Sequence, residues 1–223
     1  METSWVVTGD GSRTLFNASI GEHYHSKHGA FNESRHVFLE SGLCFFLGNQ
    51  SVRSVSILEV GFGTGLNFLL SGDYCTREQI QLNYTGIEAH PLNPDVISQT
   101  GYQDYVRPET WERFLSIYPH ALKSSSSLND SCNLFIDDSR LSDFITGDKF
   151  DIVYFDAFAA IHQPEMWTTE ALERVCKHLK PGGVFVTYAI TGNLKRSMKS
   201  LGFSIEKAPG APGKREMLRA IKH

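Results

Sequence analysis

The chain has 223 residues, with 21 Lys and Arg against 25 Asp and Glu and a formal net charge of −4 at pH 7. Its 41% hydrophobic and 21% charged residues fall in the globular range, which argues against a disordered or fibrous chain. The length suits one α/β domain, alone or with a small appendage. No apolar run reaches the roughly 18–20 residues that cross a bilayer, so neither a membrane span nor a membrane partner is expected. The start, Met1-Glu2-Thr3-Ser4-Trp5, has no basic segment followed by an apolar stretch, so no secretory leader is expected. Cys44, Cys75, Cys132 and Cys176 lie far apart without a C-x-x-C pair, which fits reduced thiols and a cytoplasmic protein. The charge is uneven: residues 190–223 hold eight basic and two acidic side chains, a net +6, leaving −10 for the rest. Such a tail is either a solvated face or a local anion-binding surface.

In chain order, Glu33 to Leu47 reads as a helix, with Leu39, Leu43, Phe46 and Leu47 on one apolar face and Gly42 inside it. From Ser54 the pattern turns α/β. Val55–Val60 is a strand, a glycine-rich turn follows, and Leu66–Leu70 opens a helix. Leu82–Glu88 and Asn133–Asp137 are strands, with Ser124–Ser127 read as a surface loop between them. Phe150–Phe155 is nearly all apolar, as a strand covered on both faces of a parallel sheet must be. Thr169–Leu179 is an amphipathic helix that Pro181-Gly182-Gly183 stops, and Val184–Tyr188 follows as a strand. Phe203–Lys207 and Arg215–Ile221 form an edge hairpin around Pro209-Gly210-Ala211-Pro212-Gly213. The alternation predicts a doubly wound, Rossmann-like α/β sheet, mostly parallel with an antiparallel C-terminal hairpin. Residues 1–53 are expected to form an N-terminal extension and residues 54–223 the main domain.

The sharpest motif is Glu59-Val60-Gly61-Phe62-Gly63-Thr64-Gly65-Leu66. Glycines at 61, 63 and 65 let the backbone turn tightly and approach a ligand at the strand's carboxyl end. The dinucleotide fingerprint G-x-G-x-x-G needs glycine at 66, where leucine stands, and no phosphate loop is present. Glu88 closes the next strand, where a carboxylate can accept hydrogen bonds from both hydroxyls of a nucleoside ribose.

Together with an acid after the third strand, Asp156 after the fourth, and Leu179-Lys180-Pro181-Gly182-Gly183, these residues resemble the class I S-adenosylmethionine-dependent methyltransferases. Within them the chain is similar to the methyltransferase domain of the bacterial bifunctional tRNA 5-methylaminomethyl-2-thiouridine biosynthesis proteins (MnmC) and to its stand-alone MnmD-type form. The segments carrying this are Asp10-Gly11-Ser12 to Asn17, Glu22-His23-Tyr24-His25-Ser26, Glu33 to Phe38, Val60 to Asn67, Phe155-Asp156-Ala157-Phe158, Pro164-Glu165-Met166-Trp167 and Gly213 to Met217. The chain departs from the family's usual pattern at Ala160, where proline is common.

The resemblance implies S-adenosyl-L-methionine as cofactor, held by Glu59, Gly61, Gly63, Gly65, Asn67, Glu88, Asp138 and Asp156, with Asp137 an adjacent substitute for Asp138. It implies a methyl transfer to the exocyclic amine of 5-aminomethyl-2-thiouridine at the tRNA wobble position, with the anticodon stem-loop as partner. Asp156 is the expected catalytic residue, because it can hold the amine and accept its proton. Tyr24, His25 and Glu33 fall at family positions near the substrate, which implies that the extension contributes to the substrate site, although His25 also reads as a satisfied loop histidine. Trp167 either stacks on the base or packs under its loop. Lys214 and Arg215 are expected to contact phosphate or the tRNA loop. No metal and no obligate protein partner are expected. At this length the chain is also expected to lack the flavin-dependent oxidase half and only to methylate. The rival readings are a small-molecule amine methyltransferase on the same fold, a non-catalytic cofactor-binding partner, and an aminopropyltransferase.

Overall fold

The computed structural model describes residues 3–223; Met1 and Glu2, where the reading of the chain's start begins, lie outside the described residues. Strand β4 (Ser54–Val60) pairs in parallel with β5 (Gln81–Ile87) on one side and β8 (Phe150–Phe155) on the other. Beyond them lie β7 (Cys132–Asp137) and β9 (Leu179–Thr187), also parallel. Antiparallel strands finish both edges: β6 (Ser126–Asn129) on β7, and β11 (Glu216–Lys222) then β10 (Phe203–Pro209) on β9. The resulting eight-stranded order is β10-β11-β9-β8-β4-β5-β7-β6. The order of winding reverses between the parallel neighbours β4 and β8, since the chain runs outward from β4 through β5 to β7 and then returns to β8 and β9. The loops leaving the carboxyl ends of β4 and β8 therefore diverge and open a crevice there.

One face of the sheet packs on α3 (Leu66–Arg77) and α5 (Pro108–Ala121), the other on α6 (Thr169–Cys176) and α7 (Gly192–Ser200). Before the sheet comes a small antiparallel sheet of β1 (Thr3–Val7), β2 (Arg13–Asn17) and β3 (Glu22–His23). A helical rod then runs through α1 (Ala30–Ser34), a π-helical stretch (Arg35–Cys44) and α2 (Phe45–Asn49).

Four expectations change. The helix read from Glu33 to Leu47 exists, and Leu43 and Phe46 of its expected apolar face are buried; but Val37, Phe38 and Gly42 are buried with them, while Leu39 and Leu47 are only half-buried. The i→i+5 bonding of a π-helix brings residues five apart onto one side, so a 3.6-residue stripe misplaces them. Gly42 is required there: a Cβ would lie 2.8 Å from the Tyr154 ring, so the rod could not approach the sheet as closely. Helix α6 stops at Cys176, and Pro181-Gly182-Gly183 does not separate helix from strand but lies inside β9. The register runs Phe150↔Leu179 and then Ile152↔Val184, so extra residues bulge out where the Pro and Gly side chains cost no core packing. Finally, the serine run is not wholly loop, because Ser126 begins edge strand β6.

Candidate active site

Phe62 fixes the glycine loop. Its ring is buried beside Phe68, Tyr84 and Tyr118 and lies so close to Gly86 that a Cβ there would be 2.5 Å from it. The Gly61 and Phe62 N–H groups both donate to the Ile87 carbonyl, tying the loop to the end of β5. Gly61 has φ +86° and a Cβ would meet the Asp156 carbonyl oxygen at 2.5 Å, so only glycine fits between the two loops. Gly65, also at positive φ, is demanded by packing, since a Cβ would lie 2.8 Å from the Phe114 ring. Glu88 locks the turn from the other side: its Oε2 accepts the Gly63 N–H at 2.9 Å and its Oε1 the His90 N–H at 2.9 Å. Each oxygen keeps a further lone-pair direction for a ligand hydroxyl.

These loops border a cavity of about 740 Å³, within the range of cofactor sites. Of the expected cofactor residues, Gly61, Gly63, Glu88 and Asp156 line it. The wall also includes Asn17, Ser19 and Ile20 after β2, Ser139–Ser142 after β7, and Met166. Glu59, Asn67, Gly65 and Asp138 are not on it. Asp138 is exposed, while Asp137 turns back to accept the Ser139 N–H and so shapes the wall instead.

Glu59 and Asn67 act from behind the cavity. Glu59 is fully buried and accepts hydrogen bonds from Asn67 Nδ2 at 2.7 Å and the Tyr84 hydroxyl at 2.8 Å. The same Asn67 Nδ2 donates to Asp156 Oδ2 at 2.9 Å, so one amide bridges two carboxyl groups. Burial, then the neighbouring Asp156 charge, holds Glu59 well above the usual carboxylate range. Burial pushes Asp156 up to about 8, with Glu33's charge adding to the rise and Asn67 and Lys214 opposing it.

A second cavity, of about 220 Å³, adjoins the first. Tyr24, His25, Asp156, Ala157 and Phe158 belong to both, so Asp156 stands at the seam. The second cavity adds Glu22, Glu33, Tyr188 and Lys214, which gives it three carboxyl groups and aromatic walls. The Tyr24 ring lies against Gly63 and edge-on to Phe158 at 5.2 Å. His25 is buried, its Nδ1 has no protein partner, and burial lowers its pKa to about 4, so it is neutral at pH 7.

The loop after Asp156 is pinned by three side chains. Tyr188 donates to the Ala157 carbonyl at 2.9 Å, Trp167 Nε1 to the Phe158 carbonyl at 2.8 Å, and Ala159 N–H to Glu22 at 2.8 Å. The loop is therefore held without proline at position 160. Trp167 packs edge-on to Phe155 and Tyr188 and lines neither cavity, so of its two readings the structure places it under the loop. Glu22 was not singled out in the sequence; its place in Glu22-His23-Tyr24-His25 was the available signal.

The motifs around residue 10 build the frame for Glu33. Asp10 Oδ2 accepts the Asn32 N–H at 2.9 Å and Oδ1 the Ser12 N–H at 3.0 Å, which anchors the first turn of α1. Glu33, 5% exposed, then meets Lys214 Nζ at 3.0 Å. Lys214 also sits 3.8 Å over the Tyr188 ring. Lys214 does not stand free on the surface, because its ammonium is half-buried and paired with a buried carboxylate; Arg215, beside it, is exposed. Nor is the basic tail one surface. Lys222 Nζ caps the Cys176 and Leu179 carbonyls, and Arg219 pairs with Glu206 and lies over the Phe45 ring. Among the described residues no cluster of three or more His, Cys, Asp or Glu could hold a metal ion, and no helix is long and apolar enough to cross a membrane.

Comparison with known proteins agrees with this geometry. Residues 106–223 match a family described as S-adenosyl-L-methionine-dependent methyltransferase. The tRNA 5-methylaminomethyl-2-thiouridine biosynthesis bifunctional protein MnmC of Leptospira interrogans is 29% identical over 96% of this chain and 34% of its own length. The MnmC protein of Leptospira borgpetersenii is 31% identical over 87% of this chain and 31% of its own. The chain thus spans about a third of the curated relatives it matches. In fold it resembles the crystal structure of MNMC2 from Aquifex aeolicus, with a TM-score of 0.79 at 22% identity, covering 99% of this chain and 70% of that one. With more than half of its residues matched by the family, and a glycine-lined cavity of suitable size at the switch point of its sheet, this chain belongs to the S-adenosyl-L-methionine-dependent methyltransferases.

Proposed function

We propose that the protein methylates the exocyclic amine of 5-aminomethyl-2-thiouridine at tRNA position 34, giving 5-methylaminomethyl-2-thiouridine, and that it does so in the cytoplasm. The observation that carries this reading is the seam: a cofactor-sized cavity and a small, carboxylate-rich aromatic cavity meet at Asp156. A primary amine on a flat ring matches the second cavity, since aromatic walls hold a splayed-out base and carboxylates hold an ammonium. The Leptospira relatives, biosynthesis proteins of tRNA 5-methylaminomethyl-2-thiouridine, support the same nucleoside. In this reading residues 1–53 form the extension that supplies Tyr24, His25 and Glu33 to the substrate side, and residues 54–223 carry the cofactor.

Gly61, Gly63 and Glu88 would hold S-adenosylmethionine in the larger cavity, which when bound supplies a methyl group on a sulfonium sulfur that leaves with the bonding pair. Asp156 does the remaining work. It receives the ammonium group and takes one proton, which frees the nitrogen lone pair for an in-line attack. An acid raised toward 8 is a much stronger base than an ordinary carboxylate, so it suits an alkylammonium partner. Glu59 and Asn67 hold the carboxyl in place, and the Phe158 and Tyr24 rings limit water at the seam.

The test is incubation of the protein and S-adenosylmethionine with tRNA carrying 5-aminomethyl-2-thiouridine, followed by nucleoside mass spectrometry. Conversion to the methylaminomethyl nucleoside is the expected result. Methylation of free small amines with the tRNA left untouched would point to a small-molecule methyltransferase instead.

A further inference from the structure

Lys214 is a half-buried cation on the wall of the smaller cavity whose role the amine-methylation reading leaves unexplained. It reaches the smaller cavity from the turn between β10 and β11, whose ends are fixed by the Gly210 N–H to the Arg215 carbonyl and the Lys214 N–H to the Ala211 carbonyl. Ala211 is buried, and the His28 ring packs so closely on Gly213 that a Cβ there would be 2.5 Å away. The turn is therefore built against the N-terminal segment and delivers the ammonium to one place. There it lies 3.0 Å from Glu33 Oε2 and 3.8 Å over the Tyr188 ring, on the wall of the cavity that Asp156 shares.

We propose that Lys214, clamped between Glu33 and Tyr188, is a positioning residue that cancels the Glu33 charge and so leaves Asp156 able to ionise and take the substrate's proton. This rests on the amine-methylation reading above and assigns a role within that site. Two carboxylates on the wall of one small cavity resist joint ionisation unless a cation offsets their charge. Glu33 is almost fully buried, so without Lys214 its charge would act on Asp156 with little screening.

The other groups facing Lys214 do not replace it. Glu22 adds a third carboxylate but is committed to the Ala159 N–H. His23 and Lys27 form part of the cavity wall, and His25 is neutral at pH 7. Tyr24 and Tyr188 have raised pKa values and stay protonated, and His28 touches the turn at Gly213 and is exposed. Behind Asp156 stand the neutral Asn67 amide and the buried Glu59, neither of which supplies a positive charge. Burial raises the Asp156 carboxyl most; the Glu33 charge and then the Glu22 charge add to the rise, and Asn67 and Lys214 oppose it.

Two readouts test the proposal. Carboxyl-13C NMR of the ligand-free protein, with the Asp156 signal assigned through Asp156→Asn, follows its titration without needing any substrate. The midpoint should rise by about one pH unit or more in Lys214→Met, fall by a similar amount in Glu33→Gln, and return near wild type in the double variant. Lys214→Arg should leave it in place. The acid limb of kcat/KM on aminomethyl tRNA should move in the same order. Equal midpoints in all variants, or shifts of one sign in both single variants, would overturn the proposal. If Lys214→Met does not fold, a Glu33→Gln midpoint that stays put or rises does so too. Should wild type fail to methylate the tRNA while the NMR midpoints move as stated, the charge pairing stands and the substrate reading falls.

Discussion

The two cavities that meet at Asp156 are built in opposite ways. The cofactor side comes mainly from strand ends and the turns that follow them: Gly61–Gly63 after β4, Glu88 after β5 and Ser139–Ser142 after β7. Its key bonds span about 25 residues and start from backbone N–H groups, those of Gly61 and Phe62 to the Ile87 carbonyl and that of Gly63 to Glu88. The substrate side is assembled from distant parts of the chain, Glu22–Lys27 with Glu33, Asp156–Phe158, Tyr188 and Lys214. Its key bonds are side-chain contacts spanning 137 residues for Glu22 to Ala159 and 181 for Lys214 to Glu33. The contrast has a physical reason. A fold common to many chemistries keeps the cofactor site in its backbone, while the substrate site is grafted on by side chains.

The largest effect that separates the two sides is expected from Asp156→Ala. Removing the proton acceptor should lower turnover about 10²- to 10⁴-fold, the usual contribution of a general base. Calorimetry should still find S-adenosylmethionine binding, because the glycine loop and Glu88 remain. Turnover within a few-fold of wild type would remove Asp156 from the chemistry.

The complementary break is Gly61→Ala. The substitution places a Cβ in a conformation at φ +86° and 2.5 Å from the Asp156 carbonyl oxygen. Strain and the clash together should cost about 1–3 kcal/mol. Cofactor affinity should fall by roughly tenfold or more as the two loops separate, at about 1.4 kcal/mol per decade. Thermal melts and calorimetry check the two effects. Unchanged affinity would show that the loop tolerates displacement and that its close approach to Asp156 has no part in binding.

The same contrast explains what could be read from the sequence. Glu59 to Leu66, Glu88 and the alternation of strands and helices were legible, because each is a local pattern of apolar residues and glycines. Asp156 was legible from its place at a strand end. The roles were less so: Glu59 and Asn67 support Asp156 from behind, and nothing in a one-dimensional pattern separates a carboxylate that lines a cavity from one behind it. The pairing of Lys214 with Glu33 was not legible, because the two residues lie at opposite ends of the chain. The β9 bulge and the π-helical rod were misread for another reason. Both insert residues into a regular period, and a pattern built on that period then assigns the wrong face or boundary.

The smallest expected effect concerns stability, and it tests whether the substrate side carries strain that the cofactor side does not. Asp156 ionises near 3.8 in an unfolded chain and near 8 in the fold. Below 3.8 both states hold the proton, so the shift has no effect on stability. Between these values the fold retains a proton that the unfolded chain has released, and stability falls as pH rises. Above about 8 both are ionised and the penalty is complete. Asp156→Asn keeps the shape and can still pair with Asn67 but carries no charge. The ligand-free variant should therefore melt a few degrees above wild type at pH 8, with the gap closing toward pH 4. A bound cation in either cavity should narrow the gap at pH 8, because it favours the ionised carboxyl of the wild type. A gap that does not change with pH would mean that the variant alters packing alone, and that the carboxyl is not strained in the ligand-free fold.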